Sequence, residues 1–84
     1  MEKSTFTRDY RILCRLLRQC RESKGMTQVQ LAERLGETQS EISKFERGER
    51  RIDLVQLRKW CLATGGKLTE FVRSFEDQLS ARRR

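Results

Sequence analysis

The stretch Thr27-Gln28-Val29-Gln30-Leu31-Ala32-Glu33-Arg34-Leu35-Gly36, continued by Glu37-Thr38-Gln39-Ser40-Glu41-Ile42-Ser43-Lys44-Phe45-Glu46-Arg47-Gly48, decides how this chain folds. It holds two helix starts and two helix stops. Thr27 followed three residues later by Gln30 is the glutamine form of a capping box: the hydroxyl accepts from the amide of residue 30, and the Gln30 side chain reaches back to the amide of residue 27. A helix is expected from there to about Leu35, with Val29, Leu31, Ala32 and Leu35 as its apolar contacts. Gly36 ends it, because glycine enters the left-handed conformation without a Cβ penalty. Thr38 offers the next cap and Gly48 the next stop. The helix between them has only Ile42 and Phe45 as apolar anchors.

A helix that is polar on most of its surface needs a reason in a chain this small. The 84 residues, 36% of them apolar, suffice for one hydrophobic core and not for two. A core of that size leaves only about 3–5 kcal/mol of net stability. The reason on offer is a groove. The major groove of B-DNA, about 12 Å wide, accepts one α-helix, and helices placed there read base edges with amide and basic side chains near their N-termini. Gln39, Ser40 and Lys44 occupy that end and face.

Working outward, the apolar spacing is helical almost throughout, and β-branched runs of period two are absent, so the chain is expected to be all α. A first helix is predicted from Thr7 or Asp9, either able to cap, to about Lys24, with Gly25 as its stop. Tyr10, Leu13, Cys14, Leu17 and Cys20 form its buried stripe, and Arg11, Arg15 and Arg18 its wet side. Glu49-Arg50-Arg51 reads as a charged connection. Asp53 caps a fourth helix through Thr64, with Leu54, Leu57, Trp60 and Cys61 facing inward. After Gly65-Gly66, a fifth helix capped near Lys67 to Thr69 carries Leu68, Phe71, Val72, Phe75 and Leu79 at helical spacing. The first three of these are expected in the core, and Phe75 and Leu79 at a contact with a second copy. Residues 1–7 read as a flexible lead-in, 8–80 as one domain, and 81–84 as a basic tail.

Nineteen Lys plus Arg against 12 Asp plus Glu leave a net charge of +7, which calls for an anionic partner. Nucleic acid and acidic membranes both fit. The chain has no run of 18 apolar residues and no apolar signal segment after its start, so a soluble, cytoplasmic protein without membrane contact is expected. Three cysteines, Cys14, Cys20 and Cys61, form no CxxC pair and have no histidine beside them, since the chain has none. They are expected as buried reduced thiols, with no metal and no cofactor. Lacking histidine and a glycine-rich phosphate loop, the chain is not expected to be an enzyme.

The segments Met26 to Gly36 and Gln39 to Gly48 together resemble the helix-turn-helix of the phage repressor, Cro and Xre-type transcriptional regulators. The resemblance extends back to Arg21 and Gly25 and forward to Leu54, Leu57 and Gly65. It implies a five-helix, lambda-repressor-like DNA-binding domain with the helix-turn-helix at helices 2 and 3, acting as a homodimer on a two-fold symmetric double-stranded DNA operator. Carried over by position, Gln39 takes the first base-reading place, close enough to Gln28 for the two amides to orient each other. Ser40, Lys44 and Ser43 fall at or beside further base-facing places. Thr27 and Gln28 open the second helix where the family contacts phosphate. Arg47, Arg50 and Arg51 are expected along the phosphates, where they position the helix without reading sequence. Arg21 and Glu46 match a salt bridge between the first and third helices, a structural role. Glu41 and Glu49 depart from the better-known phage proteins by placing negative charge near the expected DNA.

These readings lead to a sequence-specific transcriptional regulator, expected to be a repressor, with residues 38–46 in the major groove. Two alternatives stand beside it. One is the antitoxin of a toxin-antitoxin pair that uses the same domain and holds a toxin as a protein partner. The other is a protein-interaction module that has lost DNA binding.

Overall fold

A computed structural model of the protein describes residues 7–82, and over them the chain is all-helical. Five helices follow in order: α1 (Arg8–Ser23), α2 (Gln28–Leu35), α3 (Gln39–Arg47), α4 (Leu54–Ala63) and α5 (Leu68–Arg82). The five-helix all-α architecture expected from the spacing is the one observed. The expected lead-in lies outside the described residues apart from Thr7, which caps α1 by accepting from the Tyr10 amide at 3.1 Å. α5 continues through Arg82, two residues past the expected end of the domain.

The capping chemistry is realised where the sequence proposed it. Thr27 and Gln30 form the reciprocal box, with Thr27 Oγ1 accepting at 3.1 Å and Gln30 Oε1 accepting from the Thr27 amide at 2.9 Å. Asp53 and Gln56 form a second reciprocal pair at 2.7 and 2.9 Å. Gly36 and Gly48 take the left-handed conformation, with φ of 68° and 77°. At both, the next amide turns back to a carbonyl five residues earlier: Glu37 to Ala32 and Glu49 to Lys44, each at 2.9 Å. Those two turns bound α3 and set its direction.

α2 packs on α3 and α4, while α1 packs on α3 and α5, and α4 also meets α5. The apolar centre is built from Ile12, Leu16 and Leu17 of α1, Leu31 and Ala32 of α2, Ile42 and Phe45 of α3, Leu57, Trp60 and Cys61 of α4, and Phe71 of α5, with Met26 from the α1–α2 connection. The single stripe expected on α1 is too narrow: Ile12 and Leu16 are buried, whereas Tyr10, Leu13 and Cys20 are only half-buried. A helix touched by two neighbours, α3 and α5, needs a wider apolar arc than one i, i+3, i+4 row supplies. Val29 and Leu54, expected inside, are 52% and 64% exposed. Each lies in the first turn of its helix, and period alone does not say where a neighbour's surface ends. Val72 is likewise exposed, whereas Phe75 and Leu79, expected to face a second copy, pack against the core.

All three cysteines are free thiols, with Cys14 and Cys61 buried and Cys20 half-buried. Burial first, and then the neighbouring Cys20 charge, pushes the Cys61 thiol up from 9.0 to about 11. Burial also raises Cys14 and Cys20. Because the folded-state value is the higher one, the folded protein keeps a proton that the unfolded chain releases. The resulting stability is intact below about pH 9 and disappears as pH rises through about 11. Unfolding free energies from denaturant titrations across that window are expected to fall by on the order of 2–3 kcal/mol on account of Cys61. In Cys61→Ala that part of the slope is expected to vanish.

Candidate nucleic-acid interface

α3 is held from inside and from both ends. Ile42 and Phe45 are buried, and the Phe45 ring meets Trp60 edge-on, with centroids 6.0 Å apart and planes at 85°. Thr38 Oγ1 accepts from the Glu41 amide at 3.1 Å at one end, and at the other the Lys44 carbonyl accepts from the amides of Glu49 and Arg50 at 2.9 and 3.3 Å. With those faces occupied, the helical period turns Gln39, Ser40 and Lys44 outward, where all three are exposed, and leaves Ser43 half-buried at the margin.

Beneath the exposed face runs a chain of charge and amide groups. Arg21 grips Glu46 with two bonds, Nε at 2.7 Å and Nη2 at 3.0 Å, and its Nη1 donates to the Met26 carbonyl at 2.8 Å. The two side chains are 10% and 5% exposed, which makes this a buried ion pair between α1 and α3, as the resemblance implied. The pair holds Arg21 more firmly protonated than a free guanidinium, chiefly through the hydrogen bonds to Glu46. Glu46 Oε1 also accepts from Gln28 Nε2 at 3.1 Å, and Gln28 Oε1 accepts from Gln39 Nε2 at 2.6 Å. The two amides expected to orient each other therefore do so, and they are anchored below. The Gln28–Glu46 link was not anticipated. Those residues are 18 apart in the chain, and only the docking of α2 on α3 brings them together.

The three arginines that follow α3 are tethered. Arg47 donates to both carboxylate oxygens of Glu49, from Nε at 2.9 Å and Nη2 at 3.0 Å, and it also contacts the Ser43 hydroxyl. Arg50 pairs with Glu41 and lies over the Phe45 ring, 4.9 Å from its centroid. Arg51 lies over the Tyr10 ring at 4.7 Å. Glu41 and Glu49, the acidic departures, are thus partners of two of these arginines. Tyr10 has a part that its place in an apolar stripe did not signal: its hydroxyl accepts from the Ile52 amide at 3.1 Å, which fixes the connection leaving α3. Thr27 is exposed at the start of α2, its hydroxyl engaged by the Gln30 amide, with half-buried Gln28 beside it.

The surface is polar, with Lys44, Arg47, Arg50 and Arg51 exposed on and after α3. Among the described residues no group of three or more Cys, Asp or Glu is placed to hold a metal ion, and no helix is long and apolar enough to cross a membrane.

A helix-turn-helix family model matches residues 17–71, a span that includes all of α2, α3 and α4. Among solved structures, the fold superposes on an XRE-family like protein from Pseudomonas syringae pv. tomato str. DC3000 with a TM-score of 0.78 and 36% sequence identity, over 83% of this chain and 85% of that one. A comparison with curated proteins found no match. Taken with two short helices meeting across a glycine turn, the second polar on its outer side, these likenesses place the chain in the XRE-type helix-turn-helix family of DNA-binding transcriptional regulators.

Proposed function

We propose that the protein is a repressor that occupies its operator by laying the outer face of α3 in the major groove. Gln39, Ser40 and Lys44 read base edges there, with Ser43 at the margin. Thr27 and Gln28 at the start of α2, and Arg47, Arg50 and Arg51 after α3, meet the phosphates on either side. The observation that carries this reading is the conjunction at α3: its inner side is locked by Ile42, Phe45 and the ion pair, and its outer side presents an anchored glutamine and a lysine to solvent. A glutamine side chain matches adenine N6 and N7, and a lysine matches guanine O6 and N7. The arginines are preset rather than free, since each already has an aromatic or carboxylate partner that limits its motion. Two copies on a two-fold operator, with half-sites about one helical turn apart, fit a single short recognition helix per chain. The site of action is the cytoplasm.

Titration of duplex DNA at several salt concentrations tests this directly. With about six to eight phosphates neutralised per dimer, the log-log slope of affinity against salt is expected near −5 to −7. Gln39→Ala combined with Lys44→Ala is expected to reduce binding to the selected operator to the non-specific level while helicity by circular dichroism persists, and to relieve repression of a promoter carrying that operator. A salt slope near zero, or unchanged operator binding by the double variant, overturns the reading.

A further inference from the structure

We infer that a second face of the protein, the row of arginines along α1, takes the sugar-phosphate backbone of the same duplex outside the part that α3 reads. This rests on the docking of α3 proposed above and extends it to residues that have no place in that docking. Arg8, Arg11, Arg15 and Arg18 are exposed and recur at steps of three and four. At about 100° per residue they fall within about 80° of arc, and from residue 8 to residue 18 the row is about 15 Å long. One strand of B-DNA carries a phosphate about every 3.4 Å along the axis, so the row matches about four or five of them.

The charge on this row is little used within the fold. Arg18 pairs with Glu22 at 2.9 Å and Arg8 reaches Asp9 at 3.3 Å, both between exposed groups. Arg11 and Arg15 have no hydrogen bond, ion pair or ring contact with any other described residue. Together with Arg8 they border one hollow of about 310 Å³ that is also lined by Ile12. Like charges three and four residues apart on a helix repel one another, so three guanidinium groups around one hollow oppose the fold until an anion meets them. The three arginines after α3, in contrast, are each held by a carboxylate or a ring.

Two observations make that anion the flanking backbone of the operator. The row begins about 60° round α1 from Arg21, the residue that α1 turns toward α3, so it borders the side of the helix that lies on the recognition element. Tyr10, one residue before Arg11, accepts the Ile52 amide on its hydroxyl and carries the Arg51 guanidinium over its ring. The cationic surface therefore continues from Arg51 across Tyr10 to Arg11, Arg8 and Arg15. A strand that passes Arg51 on leaving α3 runs on to α1.

Phosphate contacts carry no sequence information, so these arginines change how binding depends on flank length and leave the selected bases alone. The operator selected from random-sequence duplexes is made in two lengths, one covering only the two half-sites and one extended by about one helical turn on each side, and binding of the full chain to each is titrated against salt. With about four added phosphate contacts per dimer from Arg11 and Arg15, the log-log slope for the long duplex is expected to be steeper by about 3–4, which makes the loss of affinity between 50 and 200 mM salt roughly a hundredfold larger. Arg11→Gln combined with Arg15→Gln is expected to abolish that difference while binding to the short duplex persists. Arg58→Gln combined with Lys59→Gln removes the same charge from exposed positions of α4 and is expected to keep the difference. Both pairs are exposed, so helicity by circular dichroism is expected to be unchanged.

Equal slopes on the two lengths in the wild type overturn the inference while the reading of α3 stands, and so does a difference that survives the double substitution on α1. A difference lost equally in the α4 pair overturns it as well, since net charge alone is then at work. If the double α1 variant instead loses a complex holding two separate duplexes, with no effect of length, the face belongs to a second duplex and the inference fails. If the chain selects no sequence at all, the reading of α3 fails and the inference falls with it.

Discussion

Glu46→Ala is expected to lower the stability of the fold by about 3–5 kcal/mol, because it leaves the Arg21 guanidinium buried without its counter-charge. Arg21 keeps only the Met26 carbonyl and the distant edge of Glu22, which lies 4.0 Å away at a half-exposed position. Neither replaces a bidentate carboxylate. The loss is comparable with the whole of the about 3–5 kcal/mol that a core of this size leaves, and in a domain this small it corresponds to a fall in melting temperature of more than about 10 °C. Urea unfolding is the measurement: the transition should move to very low denaturant or be lost in water altogether, and where a transition remains its slope should be unchanged, which marks a change in stability rather than in compactness. Arg21→Met tests the same pair from the other side and leaves Glu46 as the stranded charge. An unfolding free energy within about 1 kcal/mol of the wild type for Glu46→Ala would show that water reaches the pair and screens it.

Trp60→Ala is expected to have an effect of comparable size, about 3–5 kcal/mol, for a different reason. The indole is 1% exposed and is among the largest fully buried side chains. Its removal takes apolar area from the core and leaves a void between α1, α3 and α4. It also takes away the donor that meets the Leu17 carbonyl at 3.1 Å. Trp60→Phe keeps most of the volume and loses that bond, so a smaller loss of about 1–2 kcal/mol is expected. The consequence extends to the interface. Phe45 is one of two apolar anchors of α3, and Trp60 is the ring it packs against. Loosening Trp60 should therefore speed amide hydrogen exchange in α3 beyond what global unfolding explains. Hydrogen exchange on Trp60→Phe, compared residue by residue with α4, checks this.

The elements themselves were legible in the residues. Thr7, Thr27, Thr38 and Asp53 start helices because a short polar side chain can reach the amide three residues on, and Gly36 and Gly48 stop them because they accept positive φ. These are local contests, decided within about five residues, and they came out as the chain suggested. The polar face of α3 was legible for the same reason, since a helix with two apolar positions can bury only one narrow side. What each helix would meet was less accessible. Val29 and Leu54 have the right chemistry and spacing for a core, yet no neighbour covers them. Ile12 and Leu16 are buried because α1 is flanked on two sides.

The helix-turn-helix follows from caps, glycines and apolar period, all written in consecutive residues. The path from Arg21 through Glu46 and Gln28 to Gln39 does not. It joins positions 25, 18 and 11 residues apart, on three helices. Hydrogen bonds need alignment to within a few tenths of an ångström, and only packing of the apolar centre sets such distances between helices. Local chemistry chose the parts, and the close-packed core chose which of them touch.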